Sequence, residues 1–213
     1  MDILDPSLSR YAEQLTTPES DLLKRINRET HAHILKSRML SGHLQGRLLS
    51  MLSKMIMPNT ILEIGTYTGY SAICLAEGLK SGGKLVTIDI NEELEDRVRQ
   101  YFRLAELESV IDYRIGNALE IIPQLIGQFD IVFIDADKEN YARYYDLVFN
   151  RVPLGGYILA DNVLWSGKVL DDKPDKDTRA IKDFNEKIQH DSRVENILLP
   201  VRDGIMIARK VQE

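Results

Sequence analysis

Residues 60–71, TILEIGTYTGYS, decide the fold class of this 213-residue chain. A short apolar run ends at Gly65, and a second glycine, Gly69, follows four residues later, before an apolar helical stretch. Glycine lets the backbone of a loop approach a ligand closely, and the helix that follows offers free N–H groups in its first turn. The stretch therefore predicts a strand, a ligand-binding loop and a helix in direct succession.

The same alternation of strand and helix continues along the chain. Amphipathic helices are expected near residues 69–80, 91–107, 117–127, 139–150 and 177–190. The strands that they connect are expected at 60–64, 84–89, 111–115, 130–135 and 156–160. Five strand-then-helix units predict parallel pairing with right-handed crossovers, and hence an open α/β sheet covered on both faces.

The C-terminal residues break this pattern. Two further strands, 194–199 and 204–210, are separated by PVRD, which is too short for a helical crossover, so they are expected to pair as an antiparallel hairpin. A mostly parallel Rossmann-like sheet that ends in such a hairpin is the layout of the class I S-adenosylmethionine-dependent methyltransferases. Residues 1–58 contain only helical patterns, so we expect a helical N-terminal extension over 1–58 and a cofactor-binding domain over 59–213.

The glycine loop favours a particular kind of ligand. Its G-x-x-x-G spacing differs from the G-x-G-x-x-G that holds a pyrophosphate, so a nucleoside with an amino-acid tail is the better candidate. Glu63 adds a carboxylate for a sulfonium or an ammonium, and Asp89 ends the second strand, where it can accept both ribose hydroxyls. The alternative is that Gly65 and Gly69 only shape a turn and that Asp89 only ends a strand.

A second group of polar residues follows the fourth and fifth strands. Asp135 ends one, and Asp161 and Asn162 end the other, so their oxygen atoms are expected to lie close together at the carboxyl edge of the sheet. Oxygen ligands without histidine or cysteine favour Mg²⁺, with Ca²⁺ or Mn²⁺ as alternatives. Each carboxylate alone could instead be a helix cap or a turn residue.

Lys138 lies three residues after Asp135 and can point back over the same edge. A partly desolvated lysine near a cation has a lowered pKa and can act as a general base. In other surroundings an Asp-Lys-Glu sequence is more often the solvated start of a helix.

Three segments, residues 63–71, 135–141 and 161–165, together resemble the cation-dependent O-methyltransferases of small molecules. This family contains the plant caffeoyl-CoA O-methyltransferases, animal catechol O-methyltransferase and many bacterial relatives. The resemblance implies that Asp135, Asp161 and Asn162 bind a divalent metal ion, and that Lys138 is the base, with Asp135 also in the catalytic set. The cofactor contacts that it implies are at Ser41, Glu63, Gly65, Thr66, Ser71, Asp89, Ala118 and Asp137.

The resemblance implies methyl transfer from S-adenosylmethionine to a hydroxyl of a small catechol-like or phenolic acceptor. A tRNA hydroxyuridine is the alternative acceptor, and a cofactor-binding protein without catalysis is a third hypothesis. Ser166, and GHLQ at 42–45, depart from the plant relatives and leave the acceptor open. The family also implies a homodimer, for which the N-terminal helices and the tyrosine-rich helix near 139–150 offer apolar and aromatic surface.

The composition of the chain indicates its cellular location and the kinds of partner that it binds. The chain has 44% hydrophobic and 28% charged residues and lacks a membrane span or a signal-peptide pattern, so a cytoplasmic protein is expected. The single cysteine, Cys74, fits a reducing compartment. A net charge of −6 argues against a dedicated nucleic-acid binder, which normally needs a basic face.

Overall fold

The structure is a computed structural model that describes residues 5–213. It contains seven strands and eight α-helices within that range. The first four residues of the predicted 1–58 extension lie outside it. The division into an extension over 1–58 and a domain over 59–213 remains a prediction. The structure divides into compact units at another place, between Ala118 and Leu119.

The seven strands of the mixed sheet follow the predicted order along the chain. They are β1 (Thr60–Ile64), β2 (Lys84–Asp89), β3 (Ile111–Ile115), β4 (Ile131–Ile134), β5 (Tyr157–Asp161), β6 (Val194–Leu199) and β7 (Ile205–Lys210). Four of them have the predicted bounds, β5 begins and ends one residue later, β7 begins one residue later, and β4 loses one residue at each end. As a result, Asp135 comes directly after β4 and Asp161 is the last residue of β5.

In the first compact unit, Ser7–Ala118, the strand order is β3-β2-β1. Both pairs are parallel: Leu62 is the partner of Val86 on β2, and Thr87 is the partner of Tyr113 on β3. All residues of β1 after Thr60 are buried, as expected for a strand that is covered on both faces.

In the second compact unit, Leu119–Glu213, the strand order is β4-β5-β7-β6. Strands β4 and β5 are parallel, whereas β7 runs antiparallel to both β5 and β6. The predicted C-terminal hairpin is therefore confirmed.

The helices before β1 are α1 (Pro6–Gln14), α2 (Asp21–His33) and α3 (Gly42–Ile56), and those after it are α4 (Tyr70–Ala76), α5 (Glu95–Leu104), α6 (Ala118–Ile121), α7 (Tyr141–Phe149) and α8 (Lys176–His190). The predicted helix over 117–127 is wrong in extent, since α6 gives way to a 3₁₀ turn over Ile122–Gln124. Pro123 lies in that turn and lacks the N–H that an α-helix would use.

Helix α3 packs against α4 through small and polar residues. A Cβ on Gly78 would lie 2.2 Å from the backbone carbonyl carbon of Ser53, so the two segments touch through their backbones. The Ser53 hydroxyl donates to the Leu75 carbonyl over 2.6 Å. Burial raises the pKa of Glu77, but hydrogen bonds from Arg47, Lys54 and Ser50 outweigh it and lower that pKa to about 2.

Aromatic side chains hold α7 and α8 together in the second unit. Tyr141 and Phe184 make an edge-to-face contact with ring centroids 5.4 Å apart, and Tyr145 lies 6.4 Å from the same phenylalanine. Tyr141, Tyr144 and Tyr145 are all buried, so these rings pack inside the unit. They therefore offer little surface to a second chain.

No helix among residues 5–213 combines the length and the apolar character that a membrane span requires.

Candidate active site

The second unit brings the residues after β4 close to those at the end of β5. Asp135 comes directly after β4, and Lys138 begins a 3₁₀ turn that leads into α7. Asn162 follows β5 with a φ of 60°, in the left-handed region that asparagine adopts more readily than most residues. This turn of the backbone directs the residues after Asp161 away from the strand direction.

The ammonium group of Lys138 lies at the centre of this arrangement. Its Nζ is 3.2 Å from Asp135 Oδ1, 2.6 Å from Asn162 Oδ1 and 2.5 Å from the hydroxyl of Tyr141. A lysine ammonium has three N–H groups, and these three acceptors use all of them. The lysine side chain is only 9% exposed, so its charge depends on these partners rather than on water.

Tyr141 connects Lys138 to the end of β5. Its hydroxyl accepts from Lys138 and donates to the backbone carbonyl of Asp161 over 3.0 Å. Burial raises the pKa of Tyr141 well above its ordinary value, and the charges of Asp135 and Asp161 add to the effect. The phenol therefore stays neutral and remains a hydrogen-bond donor.

Of the predicted metal ligands, Asp135 and Asn162 are connected by Lys138, whose ammonium group donates a hydrogen bond to each side chain. Asp161 lies next to them in a different way: its Oδ1 accepts from the backbone N–H of Asn162 over 2.8 Å. Within residues 5–213 no group of three His, Cys, Asp and Glu side chains is arranged to hold a metal ion. The predicted set combines two such residues, Asp135 and Asp161, with the amide of Asn162, so this absence does not bear on it.

The loop after β5 has an unusual backbone. Trp165, Ser166 and Gly167 have φ values of 46°, 56° and 79°, three left-handed residues in a row. For a side chain as bulky as tryptophan this conformation is strained. The Trp165 ring centroid lies 5.7 Å from Lys138 Nζ, and its indole N–H is buried without a hydrogen-bond partner. The strained loop thus places an aromatic face and a donor beside the lysine.

Asp137, a predicted cofactor contact, is an exposed residue of the second unit. Its Oδ1 accepts from the Tyr144 hydroxyl over 2.5 Å, and its Oδ2 accepts from the side-chain amide of Asn140. Two donors from the start of α7 and the turn before it thus fix the orientation of this carboxylate.

The first unit contains the glycine loop, which connects β1 to α4. Gly65 and Gly69 have φ values of 102° and 77°, so both positions need the conformational freedom of glycine. A Cβ on Gly69 would also lie 2.8 Å from the ring of Phe102 on α5. The loop therefore lies close to its neighbours and keeps its amides at the start of the helix.

Asp89 is fixed by that loop. Its Oδ2 accepts from the backbone N–H of Tyr67 over 2.6 Å, and its Oδ1 accepts from the N–H of Asn91 over 2.8 Å. Each carboxylate oxygen can accept more than one hydrogen bond, so both oxygens retain capacity for a pair of hydroxyl groups. The glycine loop and Asp89, which the sequence assigns to the same cofactor site, are thus in direct contact.

Glu63 and Thr66 are inside the first unit rather than at its surface. Thr87 donates to Glu63 Oε2 over 2.5 Å and lies 2.6 Å from the Thr66 hydroxyl oxygen. Since the single proton of Thr87 goes to Glu63, the proton between the two threonines comes from Thr66. Glu63 is fully buried and Thr66 is 1% exposed, so this chain of hydroxyls orders the floor of the loop.

The remaining predicted cofactor contacts lie at helix starts. Ser41 immediately precedes α3, Ser71 is the second residue of α4, and Ala118 begins α6. All three are buried, which leaves only a small part of each accessible.

Sequence reasoning missed the roles of several side chains. The helix that carries Tyr141 and Tyr144 was expected to offer aromatic surface, yet their hydroxyls bind Lys138 and Asp137. Thr87 was not singled out, although an alternating strand places it on the same face as Asp89. The position of Tyr141, three residues after Lys138, was the one signal that could have indicated a contact.

Comparison with known proteins now assigns a family. Residues 13–211 match the model of the O-methyltransferase family. Caffeoyl-CoA O-methyltransferase of Eucalyptus gunnii is 39% identical, with 79% of this chain and 72% of that protein covered. Catechol O-methyltransferase domain-containing protein 1 of Mus musculus is 35% identical, with 95% and 85% covered.

A solved structure agrees. An O-methyltransferase from Streptomyces achromogenes, involved in tomaymycin synthesis and solved in complex with SAM, is 29% identical with a TM-score of 0.87, and 96% of each chain is covered. The predicted class I methyltransferase fold is confirmed. On the match of 13–211 and the identities above, this chain belongs to the O-methyltransferase family and is a methyltransferase enzyme.

Proposed function

We propose that this enzyme transfers a methyl group from S-adenosylmethionine to a hydroxyl of a small catechol-like or phenolic acceptor, with the help of a divalent cation. The observation that carries the proposal is the Lys138 ammonium, buried among oxygen atoms of Asp135, Asn162 and Tyr141. The two caffeoyl-CoA and catechol relatives support the acceptor class, and the relative solved with SAM supports the methyl donor.

The residues of the second unit fit a divalent cation. Asp135 Oδ1 and Asn162 Oδ1 already converge on one positive charge, that of Lys138, and Asp161 lies next to Asn162 in the chain. Carboxylate and amide oxygens suit Mg²⁺ first, with Ca²⁺ or Mn²⁺ as alternatives. A divalent cation held by Asp135, Asp161 and Asn162 would lower the pKa of an acceptor hydroxyl.

Lys138 is proposed as the general base, with Asp135 beside it. Tyr141 holds the lysine at the β5 end of the site, so the amine is positioned before an acceptor arrives. Methyl transfer from a sulfonium is an in-line displacement, and its rate depends on placing the oxygen opposite the methyl group. In its neutral amine form Lys138 would take up the hydroxyl proton and become the ammonium, which leaves that oxygen as the nucleophile.

Residues of the first unit are proposed to bind the cofactor. Asp89 would accept the ribose hydroxyls, and Gly65, Thr66 and Ser71 would line the loop that the amino-acid tail approaches. Glu63, Ser41 and Ala118 complete the proposed set in this unit, and Asp137 of the second unit stays a separate prediction of a cofactor contact. Burial of Glu63 and Thr66 favours contacts through their backbones over contacts through their side chains.

Trp165 favours a small flat acceptor over a nucleic acid. Its ring lies beside Lys138, and its buried indole N–H offers a donor to an oxygen on an aromatic substrate. A hydroxyuridine in tRNA remains the second candidate, because its base also carries neighbouring oxygens, but the net charge of −6 argues against phosphate binding.

A homodimer is proposed on the outer face of α3. Leu44, Leu48, Met51 and Met55 recur at spacings of four, three and four residues, and Met51 and Met55 are 57% and 72% exposed. The opposite, buried face of the helix is largely small or polar. An antiparallel partner α3 would place Leu48 against Met51 and Leu44 against Met55, a self-complementary seam.

The cytoplasmic location also remains a proposal. It rests on the single, buried thiol of Cys74.

Replacement of Asp89 tests the cofactor site. Asp89→Ala should weaken S-adenosylmethionine binding by about 1.5–3 kcal/mol, because a carboxylate that accepts two hydroxyls is lost. Titration calorimetry measures this, with Asp112→Ala, an exposed β3 residue paired with Arg114, as the control. Unchanged affinity in Asp89→Ala would place the ribose elsewhere.

The acceptor class is tested by comparing a catechol, its mono-hydroxy analogue and hydroxyuridine-bearing tRNA across a salt series. The catechol should be methylated and the analogue should react about 10⁴ times more slowly, since one missing oxygen leaves polar groups of the site unpaired. Turnover of the catechol should change little with salt.

Equal rates on the two phenols would contradict the catechol hypothesis. Efficient methylation of tRNA that falls steeply with salt would instead favour the second candidate.

The dimer proposal predicts a mass of twice 24.4 kDa by light scattering at micromolar concentration. Met51→Glu should raise the dissociation constant at least about 100-fold, because two copies of an apolar contact worth roughly 1.5–3 kcal/mol are lost. Ile126→Glu, at an exposed position of the second unit, is the control and should leave the dimer intact. A wild-type mass near one chain would refute the proposal.

A further inference from the structure

The ammonium group of Lys138 is hydrogen-bonded to oxygen atoms of two residues that are proposed to bind the cation. Nζ accounts for one oxygen of Asp135 at 3.2 Å and for the side-chain oxygen of Asn162 at 2.6 Å. The lysine side chain is 9% exposed and that of Asp135 is 20% exposed, so little water screens these charges. Two of the proposed cation ligands are thus already paired with a positive charge that belongs to the chain itself.

A divalent cation and an ammonium group cannot share these oxygens without mutual cost. Both are positive, and their repulsion is strong at contact distances in a site that is poorly screened. Each also draws on lone pairs of Asn162 Oδ1 and of the Asp135 carboxylate. A cation that enters must therefore displace the ammonium from Asp135 and Asn162.

Tyr141 provides a position to which Lys138 can retreat. Its hydroxyl is 2.5 Å from Nζ and is anchored to the Asp161 carbonyl, and its ring centroid lies 4.7 Å from Nζ. These contacts do not involve the side-chain oxygens of Asp135 or Asn162. After displacement the ammonium would keep one hydrogen bond and a cation–π contact, with two N–H groups released.

We propose that Lys138 is a built-in competitor for the divalent cation, and that cation binding releases Lys138 from Asp135 and Asn162 so that it can face the acceptor. This inference rests on the proposed function. It adds a coupling between the two events: the lysine stays tied to the ligand oxygens until the cation arrives.

The test is a cation-binding measurement without cofactor or acceptor. Metal-stripped wild type and Lys138→Met are titrated with Mg²⁺ and with Mn²⁺ by calorimetry. Competition predicts that Lys138→Met binds the cation more tightly, by about 5- to 150-fold, the range of typical coupling between two binding events. Lys138→Gln, a second neutral variant, should behave in the same way.

Lys176→Met is the matched control. Lys176 is an exposed lysine that pairs with Glu139, so its loss removes the same charge without freeing oxygens of Asp135 or Asn162. Its cation affinity should stay within about 2-fold of wild type, since exposed charges are screened. Thermal melting of each variant with and without Mn²⁺ checks folding, and competition predicts the larger stabilisation by Mn²⁺ in Lys138→Met.

The cation titrations have four outcomes that support or overturn the competition between Lys138 and the cation. Tighter binding in Lys138→Met and Lys138→Gln, but not in Lys176→Met, supports competition, as does binding that is detected only in the Lys138 variants. Equal or weaker binding in the Lys138 variants overturns it, while cation use itself stands. Absence of binding in every protein overturns both the competition and the proposed cation requirement.

Discussion

A charge that is taken out of water must be matched by partners, and in this enzyme that requirement centres on the ammonium group of Lys138. The side chain is nearly buried, and all three of its N–H groups are used by Asp135, Asn162 and Tyr141. These partners come from the end of β4, the end of β5 and the start of α7. The parallel pairing of β4 and β5 places both strand ends at one edge, so the pairing of this charge depends on the fold of the second unit.

In the first unit, hydroxyl groups and backbone amides provide the hydrogen bonds that two carboxylates need. Glu63 is buried on β1 and accepts a hydrogen bond from the Thr87 hydroxyl. Asp89 accepts a hydrogen bond from the backbone amide of Tyr67 in the glycine loop. Asp89 is therefore oriented before any ligand binds. Preorganised acceptors of this kind reduce the entropy that is lost on binding, which suits a site proposed to hold S-adenosylmethionine.

Much of the fold could be predicted from the sequence, because strand and helix periods differ and because glycine marks the loop after β1. The bounds of β1, β2, β3 and β6 follow from their apolar patterns. The proximity of Asp135 and Asn162 was predictable as well, since parallel strands end at the same edge. Contacts that depend on side-chain rotamers were not: the bond from the Tyr141 hydroxyl to the Asp161 carbonyl and the left-handed backbone of Trp165 have no signature in residue spacing. Similarly, the four-three-four spacing of apolar residues on α3 is visible in the sequence, but only the structure indicates which face is buried.

We propose that hydroxyl activation in this enzyme needs a divalent cation held by Asp135, Asp161 and Asn162. The most direct measurement is the rate of methyl transfer from labelled S-adenosylmethionine to a catechol by rigorously metal-stripped protein, before and after addition of Mg²⁺. Transfer should be negligible without the cation and should recover when the cation is added, with no recovery in Asp161→Ala. Undiminished transfer by the metal-stripped enzyme would contradict the proposal.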